Sequence, residues 1–160
     1  MSSQPVIEVD DLRVEYGRGA RRHPAVRGLT FNVQSGETVG FIGPNGAGKS
    51  STIKTLMGFI FPVGGRVAIF GEPAGSVASR RRTGYLPEVS LYYPFMKARE
   101  VLELYGGLHG LSRGKLKRRI PELLERVGLA GRGETLMRNL SKGMQQRIGI
   151  AQAIIADPDL

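Results

Sequence analysis

The chain has 160 residues, 41% of them apolar, which suffices for one domain with a hydrophobic core and excludes a disordered or fibrous protein. It contains no cysteine, which excludes disulfides, thiol catalysis and cysteine-based zinc sites. The formal charge of +9 suits nucleic acid or an anionic membrane, but the basic clusters are dispersed and none is interleaved with aromatic residues, so we interpret the charge as solvated surface. The N-terminus does not resemble a secretory signal, and every apolar run is far shorter than the ~20 residues that span a bilayer.

The first half of the chain has the pattern of an α/β fold. Apolar and polar residues alternate over 6–16 and 25–33, which predicts two antiparallel N-terminal strands. Four further elements are expected in chain order: a strand at 38–42, a helix at about 48–59, and short strands at 66–70 and 83–86.

From Lys97 onward the apolar residues repeat at the spacing of one helix face, which predicts three helices. Their stripes are Val101, Leu104, Tyr105 and Leu108; then Ile120, Leu123, Leu124 and Val127; then Met144, Ile148, Ala151 and Ile155. We expect Pro121 to start or kink the second helix and Gly128 to close it. This order favours an α-helical subdomain, about 89–156, inserted in an α/β core, about 1–88, over two independent domains.

Residues 43–50 read GPNGAGKS and fill every fixed position of the phosphate-binding loop G-x-x-x-x-G-K-[S/T]. The glycines let the backbone approach phosphate oxygens, and the helix that follows begins with unpaired N–H groups. Lys49 adds a charge for the β and γ phosphates, and the Ser50 hydroxyl can bind Mg²⁺. The predicted nucleotide-binding residues are Gly43, Pro44, Asn45, Gly46, Ala47, Gly48, Lys49, Ser50 and Ser51. A glycine-rich turn between a strand and a helix is the alternative.

A second motif lies at residues 140–147, LSKGMQQR, where Ser141 is suited to cap the last helix. A simple helix cap is one interpretation. With the phosphate loop upstream, however, the segment resembles the signature loop of ATP-binding-cassette (ABC) ATPases, whose usual core is Leu-Ser-Gly-Gly-Gln. Lys142 stands here for the first Gly and Met144 for the Gln.

The resemblance implies a P-loop NTPase core with ATP and Mg²⁺ as cofactors. It implies a head-to-tail homodimer or heterodimer of nucleotide-binding domains, in which Ser141 and Gly143 of one subunit face the γ-phosphate held by the other. Tyr16 matches the aromatic residue that stacks on adenine, with simple packing as the alternative. Glu88 stands where the family has its Gln-loop; it would approach Mg²⁺ and act in catalysis with Lys49, with a solvated loop residue as the alternative.

The implied function is that of the ATPase subunit of an ABC transporter, lying on the cytoplasmic face of the membrane through a separate integral membrane permease. GYLPE at 84–88 and the signature segment resemble exporters in particular. The aromatic segment 89–96 would receive the permease or pack within the chain. The resemblance stops before the family's catalytic Glu and switch His, so we expect a domain incomplete at its C-terminus that hydrolyses ATP poorly by itself. The alternatives are a soluble ABC-type ATPase acting on ribosomes or nucleic acid, and a degenerate fragment.

Overall fold

Strands with alternating apolar residues form the sheet in the N-terminal half. The computed structural model describes residues 4–89 and 91–160 and divides into two units, Met1–Arg80 and Arg81–Leu160. The strands of the first unit are β1 (Ile7–Tyr16), β2 (His23–Val33), β3 (Gly64–Ile69) and β4 (Glu72–Pro73). They pair antiparallel in the order β2-β1-β3-β4. The two predicted N-terminal strands and the predicted strand at 66–70 are confirmed, whereas the short β4 was not foreseen.

Helix α1 (Lys49–Leu56) packs on the core of this sheet through its buried C-terminal end. Apolar side chains from β1, β2, β3 and α1 form that core: Val9, Leu12, Val14, Val26, Leu56, Val67 and Ile69. Their removal from water supplies the main stabilisation of the unit. A short helix, α2 (Val77–Arg81), follows β4 and was not predicted.

Two predicted strands are wrong. Residues 38–42 have no regular secondary structure, although Phe41 packs edge-on against Phe31, and Ile42 is 97% exposed. A strand needs a hydrogen-bonded neighbour, and none of the described residues pairs with this segment in a ladder. Residues 83–86 have no regular secondary structure either; next to them, Gly84 N donates to Leu160 O, and the Arg82 carbonyl accepts from Asp159 N and Leu160 N.

The second unit contains the three predicted helices, α3 (Ala98–Leu108), α4 (Arg113–Arg126) and α5 (Lys142–Ala153). Their core contains thirteen buried apolar residues: Ala98, Val101, Leu102, Leu116, Ile120, Leu123, Leu124, Leu129, Met137, Leu140, Ile148, Ala151 and Ile155. Within residues 4–89 and 91–160, no helix is both long and apolar enough to cross a bilayer.

Two details of the helix prediction need correction. Leu104 and Leu108 are exposed, and Leu102 is buried in their place, because α3 turns the face of Ala98, Val101 and Leu102 to the core. Pro121 lies inside α4 and does not start it; α4 begins at Arg113, where Ser112 caps the helix by accepting a hydrogen bond from Lys115 N. The proposed subdomain boundary near residue 88 stays a prediction.

Candidate functional site

Two glycines of the phosphate loop adopt the left-handed conformation, for different reasons. Gly48 precedes α1 with φ 83°, and a Cβ there would come within 2.5 Å of the Ala25 carbonyl oxygen on β2. Gly46 has φ 86°, but a Cβ there would meet no atom within 4 Å. The sheet therefore requires a glycine at Gly48, whereas at Gly46 only the backbone conformation favours one. The close contact with β2 has no signal in the sequence.

The Lys49 ammonium group lies against the start of the loop. Its Nζ atom donates to the carbonyl oxygens of Gly43, at 2.6 Å, and Pro44, at 2.8 Å. Within the described residues, no carboxylate pairs with it. The positive charge is compensated only by carbonyl dipoles, so an anionic oxygen can compete for it.

The beginning of α1 adds to the positive potential of the loop. The first helical N–H groups lack an intrahelical acceptor, and the first turn contains no acidic residue. Thr52 donates to the Gly48 carbonyl through both its N–H and its hydroxyl, which fixes the first turn. Ser50 is exposed and its hydroxyl is accessible. Pro44, Asn45 and Ala47 are exposed in the same loop.

Tyr16 and Ser51 contact each other. The Tyr16 hydroxyl lies 3.2 Å from Ser51 Oγ, and Ser51 is buried on α1. The Tyr16 ring is half-buried and its centroid lies 6.0 Å from that of His23. The structure thus brings Tyr16 next to the helix that follows the phosphate loop, and its stacking on adenine stays a prediction. The hydrogen bond to Ser51 and the neighbouring His23 were not foreseen.

The signature loop begins α5. Ser141 Oγ accepts a hydrogen bond from Met144 N at 3.3 Å, as predicted for a cap. Lys142 and Gly143 are exposed, and a Cβ on Gly143 would meet no atom within 4 Å, so another molecule can approach closely. Arg132 and Arg147 line a cavity of about 340 Å³ beside the loop. The cap, the open glycine and the two guanidinium groups favour an anion.

Glu88 is exposed and lies in the second unit. No group of three or more His, Cys, Asp or Glu side chains that could hold a metal ion exists among the described residues. The role of Ser50 and Glu88 as Mg²⁺ ligands stays a prediction.

The segment 89–96 divides into packed and exposed residues. Tyr92 is half-buried, and its ring meets Tyr105 edge-on with a centroid distance of 6.4 Å. Leu91, Tyr93 and Phe95, which we call the aromatic patch, are 88%, 63% and 70% exposed. The Tyr93 and Phe95 rings stack at 5.5 Å. Ser90 lies outside the described residues.

Comparisons with known proteins decide the family. The family model for the ABC transporter matches residues 26–160. The chain belongs to the ABC transporter ATP-binding family. An uncharacterized ABC transporter ATP-binding protein of Nostoc sp. is 42% identical over 97% of this chain and 48% of its own length.

Two more relatives have names that refer to export or resistance. The Nod factor export ATP-binding protein I of Ralstonia nicotianae is 35% identical over 100% of this chain and 49% of its own length. The linearmycin resistance ATP-binding protein LnrL of Bacillus subtilis is 32% identical over 97% of this chain and 49% of its own length. The chain therefore spans about half the length of the curated relatives it matches.

A solved structure confirms the predicted fold class. The ATP-binding subunit of an ABC transporter superimposes with a TM-score of 0.82 at 35% identity, covering 96% of this chain and 63% of that one. The α/β core with antiparallel N-terminal strands and a helical part is thus the ABC fold. ABC domains in general bind ATP and act as ATPases, as dimers working with a membrane permease.

Proposed function

We propose that this chain supplies the ATP-binding residues of an ABC transporter ATPase that drives a separate membrane permease. The observation that carries the proposal is the loop 43–50, in which open glycine backbone, the start of α1 and the Lys49 ammonium group converge. That combination suits a polyphosphate. The names of the relatives favour transport over a soluble ABC-type ATPase acting on ribosomes or nucleic acid.

Each residue of the loop has a proposed role toward ATP. The N–H groups of residues 43 and 45–48 and those at the start of α1 bind phosphate oxygens, and Tyr16 stacks on adenine. Lys49 exchanges its carbonyl partners for the β and γ phosphates and stabilises the charge that develops during phosphoryl transfer.

The hard oxygen ligands of Ser50 and Glu88 suit Mg²⁺, which offsets phosphate charge when bound. Ser50 offers an exposed hydroxyl on the first turn of α1. The Glu88 carboxylate, also exposed, would supply a further oxygen ligand.

The signature loop is proposed to act on a second subunit. Ser141 and the open backbone at Gly143 contact the γ-phosphate held by the partner's phosphate loop, in a head-to-tail dimer. Each nucleotide-binding site is then complete only when ATP lies between two subunits. The subunits lie on the cytoplasmic side, bound to the membrane through the permease.

Replacement of Lys49 tests this function. In the full-length protein with its permease, we expect Lys49→Ala to weaken ATP binding and abolish ATP-driven transport, because the charge for the β and γ phosphates is lost. Lys54→Ala is the matched control, since Lys54 is exposed on the same helix but belongs to its last turn. Transport by Lys49→Ala at the wild-type rate would overturn the assignment.

The direction of transport is proposed to be export, supported by the names of the Nod factor and linearmycin resistance relatives. Inside-out vesicles containing the protein and its permease test this, because ATP added outside reaches the nucleotide site. We expect ATP-dependent accumulation of substrate inside those vesicles. Accumulation only in right-side-out vesicles loaded with ATP would indicate import.

We propose that the aromatic patch contacts the permease. Three apolar side chains exposed together on one loop favour a protein interface. We expect the double substitution Tyr93→Ser and Phe95→Ser to reduce co-purification of the permease. Leu108→Ser is the control, because Leu108 is also strongly exposed but lies at the far end of α3. Equal recovery of the permease with the double variant and the wild type would count against docking.

A further inference from the structure

A short two-stranded ribbon connects the aromatic patch to the segment before the signature loop. Residues 94–99, which lead into the first turn of α3, lie antiparallel to 133–138 with one bridge between Lys97 and Leu136, and we call these two segments the ribbon. Four backbone hydrogen bonds join them: Ala98 N to Thr135 O at 3.0 Å, Arg99 N to Gly133 O at 2.9 Å, Met137 N to Met96 O at 2.8 Å, and Arg138 N to Pro94 O at 3.1 Å. The carbonyl of Pro94, which lies between Tyr93 and Phe95 in the sequence, is one of the acceptors.

The side chain of Gln145 continues this connection into α5. Its Nε2 atom donates to the carbonyl oxygens of Met137, at 2.9 Å, and Leu140, at 3.2 Å. The Met137 residue is therefore bonded on both sides, by its N–H to Met96 and by its carbonyl to Gln145. Leu140 directly precedes the capping Ser141.

The residues of α5 that follow Gln145 are packed in the core of the second unit. Ile148 and Ala151 are 0% exposed in the core of the unit, and Met137, which accepts a hydrogen bond from the Gln145 amide, is 1% exposed. Gln145 itself is half-buried, so water competes less for its two hydrogen bonds than it does at an exposed site. Without the donor, the carbonyls of Met137 and Leu140 each lose a partner, and the bond from Leu140 N to Met137 O, at 3.2 Å, holds the loop to the ribbon with less support.

We infer that Gln145 is a positioning residue that couples the aromatic patch to the signature loop, so that a partner bound at the patch sets the placement of Ser141 and Gly143. The inference rests on the proposed function of both surfaces. Gln145 touches neither nucleotide nor partner and acts through the carbonyls of Met137 and Leu140.

The test compares Gln145→Glu with Gln146→Glu in the full-length protein. Both substitutions keep the side-chain size and add one negative charge to the same helix. Only the first replaces a donor with an acceptor facing two carbonyls, because Gln146 is exposed and makes no side-chain hydrogen bond within residues 4–89 and 91–160. Three quantities are measured: ATP affinity of the isolated subunit, stimulation of its ATPase by the permease, and hydrogen exchange of the amides in 137–143.

We expect Gln145→Glu to lower the stimulation by the permease about tenfold, as loss of a donor to two carbonyls implies, with an unchanged ATP affinity. Exchange over 137–143 should accelerate in this variant only. Gln146→Glu should match the wild type in all three measurements. Gln145→Lys, whose Nζ atom can still donate, should restore most of the stimulation.

Stimulation by the permease within twofold of wild type in Gln145→Glu would overturn the inference, as would equal losses in the two glutamate variants. If Gln145→Glu does not fold, Gln145→Met, which has a similar volume and no donor, takes its place with the same expectations. A wild-type protein that binds no ATP and is not stimulated by a permease refutes the proposed function instead. In that case the rate of amide hydrogen exchange in residues 137–143 still reports whether Gln145 holds the loop.

Discussion

The phosphate loop and the signature loop are held in different ways. Residues 43–50 are positioned by their own backbone, by the close contact of Gly48 with β2 and by Lys49, which bonds carbonyls of the same loop. The first residues of the signature motif, 140–143, are positioned by the bond from Leu140 N to Met137 O and by the side chain of Gln145, which donates to the carbonyls of Met137 and Leu140. A steric contact with a distant strand thus constrains the first loop, whereas hydrogen bonds between residues five and eight positions apart hold the second.

The surroundings of the two loops differ as well. The segment before the phosphate loop leaves Ile42 almost fully exposed, whereas the helix after the signature loop packs Ile148 and Ala151 completely. An apolar residue contributes to stability only where other atoms cover it. An isoleucine therefore contributes almost nothing to the free energy of unfolding before the phosphate loop and a large amount after the signature loop.

A pair of isoleucine substitutions gives the largest expected effect. In the 160-residue chain, Ile148→Ala should destabilise the second unit by about 2–5 kcal/mol, because it leaves a cavity in the core. Ile42→Ala should change stability by less than ~0.5 kcal/mol, because almost the whole side chain already contacts water. Urea denaturation measures both. Similar losses for the two variants would show that 38–42 is covered in solution and would remove the contrast between the regions.

Glycine replacement tests the backbone contribution at the phosphate loop. Gly48→Ala introduces both left-handed strain and a clash with the Ala25 carbonyl, and we expect a loss of about 2–3 kcal/mol. Gly46→Ala introduces only the strain and should cost about 1 kcal/mol. The difference in unfolding free energy isolates the contact with β2. If the two variants were equally stable, β2 would not constrain the loop.

The sequence indicates these motifs better than it indicates what holds them. The phosphate loop and the capping Ser141 follow from residue types at fixed spacing, because local backbone requirements are encoded locally. The contact of Gly48 with Ala25 joins residues distant in the chain, and Gln145 donates to carbonyls eight and five residues earlier, outside the helix that contains it. No periodicity or spacing encodes them, and only the folded structure brings them together.

The errors in the secondary structure have the same origin. Residues 38–42 have an apolar, β-branched pattern, but a strand depends on a neighbour that pattern alone does not supply. In α3, the spacing identified a helix correctly but selected Leu104 and Leu108 as core residues. Leu102 and Ala98 are buried instead, since packing against α4 and α5 decides which face is covered.

The smallest expected effect concerns the exposed ion pairs on the ribbon. Glu134 accepts hydrogen bonds from Lys97 Nζ and Arg99 Nε, each at 2.8 Å. These bonds, foremost that from Lys97, lower the pKa of Glu134 from 4.5 to about 2, and the bond to Glu134 raises the pKa of Lys97 above 10.5. The carboxylate therefore stabilises the folded state fully above pH ~4.5, and this stabilisation is lost as the pH falls toward 2. The contribution of the Lys97 charge is present below its ordinary pKa and is lost as the pH rises above it.

We expect Glu134→Gln to reduce stability slightly between pH 5 and 9, because the pairs are exposed and screened by salt. The difference from the wild type should shrink below pH ~4.5, where the unfolded carboxyl gains a proton before the folded one. Glu122→Gln is the control, since Glu122 is exposed on α4 and forms no ion pair among the described residues. A difference that stays constant down to pH 2 would mean that the Glu134 pairs do not hold the ribbon. The connection between the aromatic patch and the signature loop would then depend on the four backbone bonds and Gln145 alone.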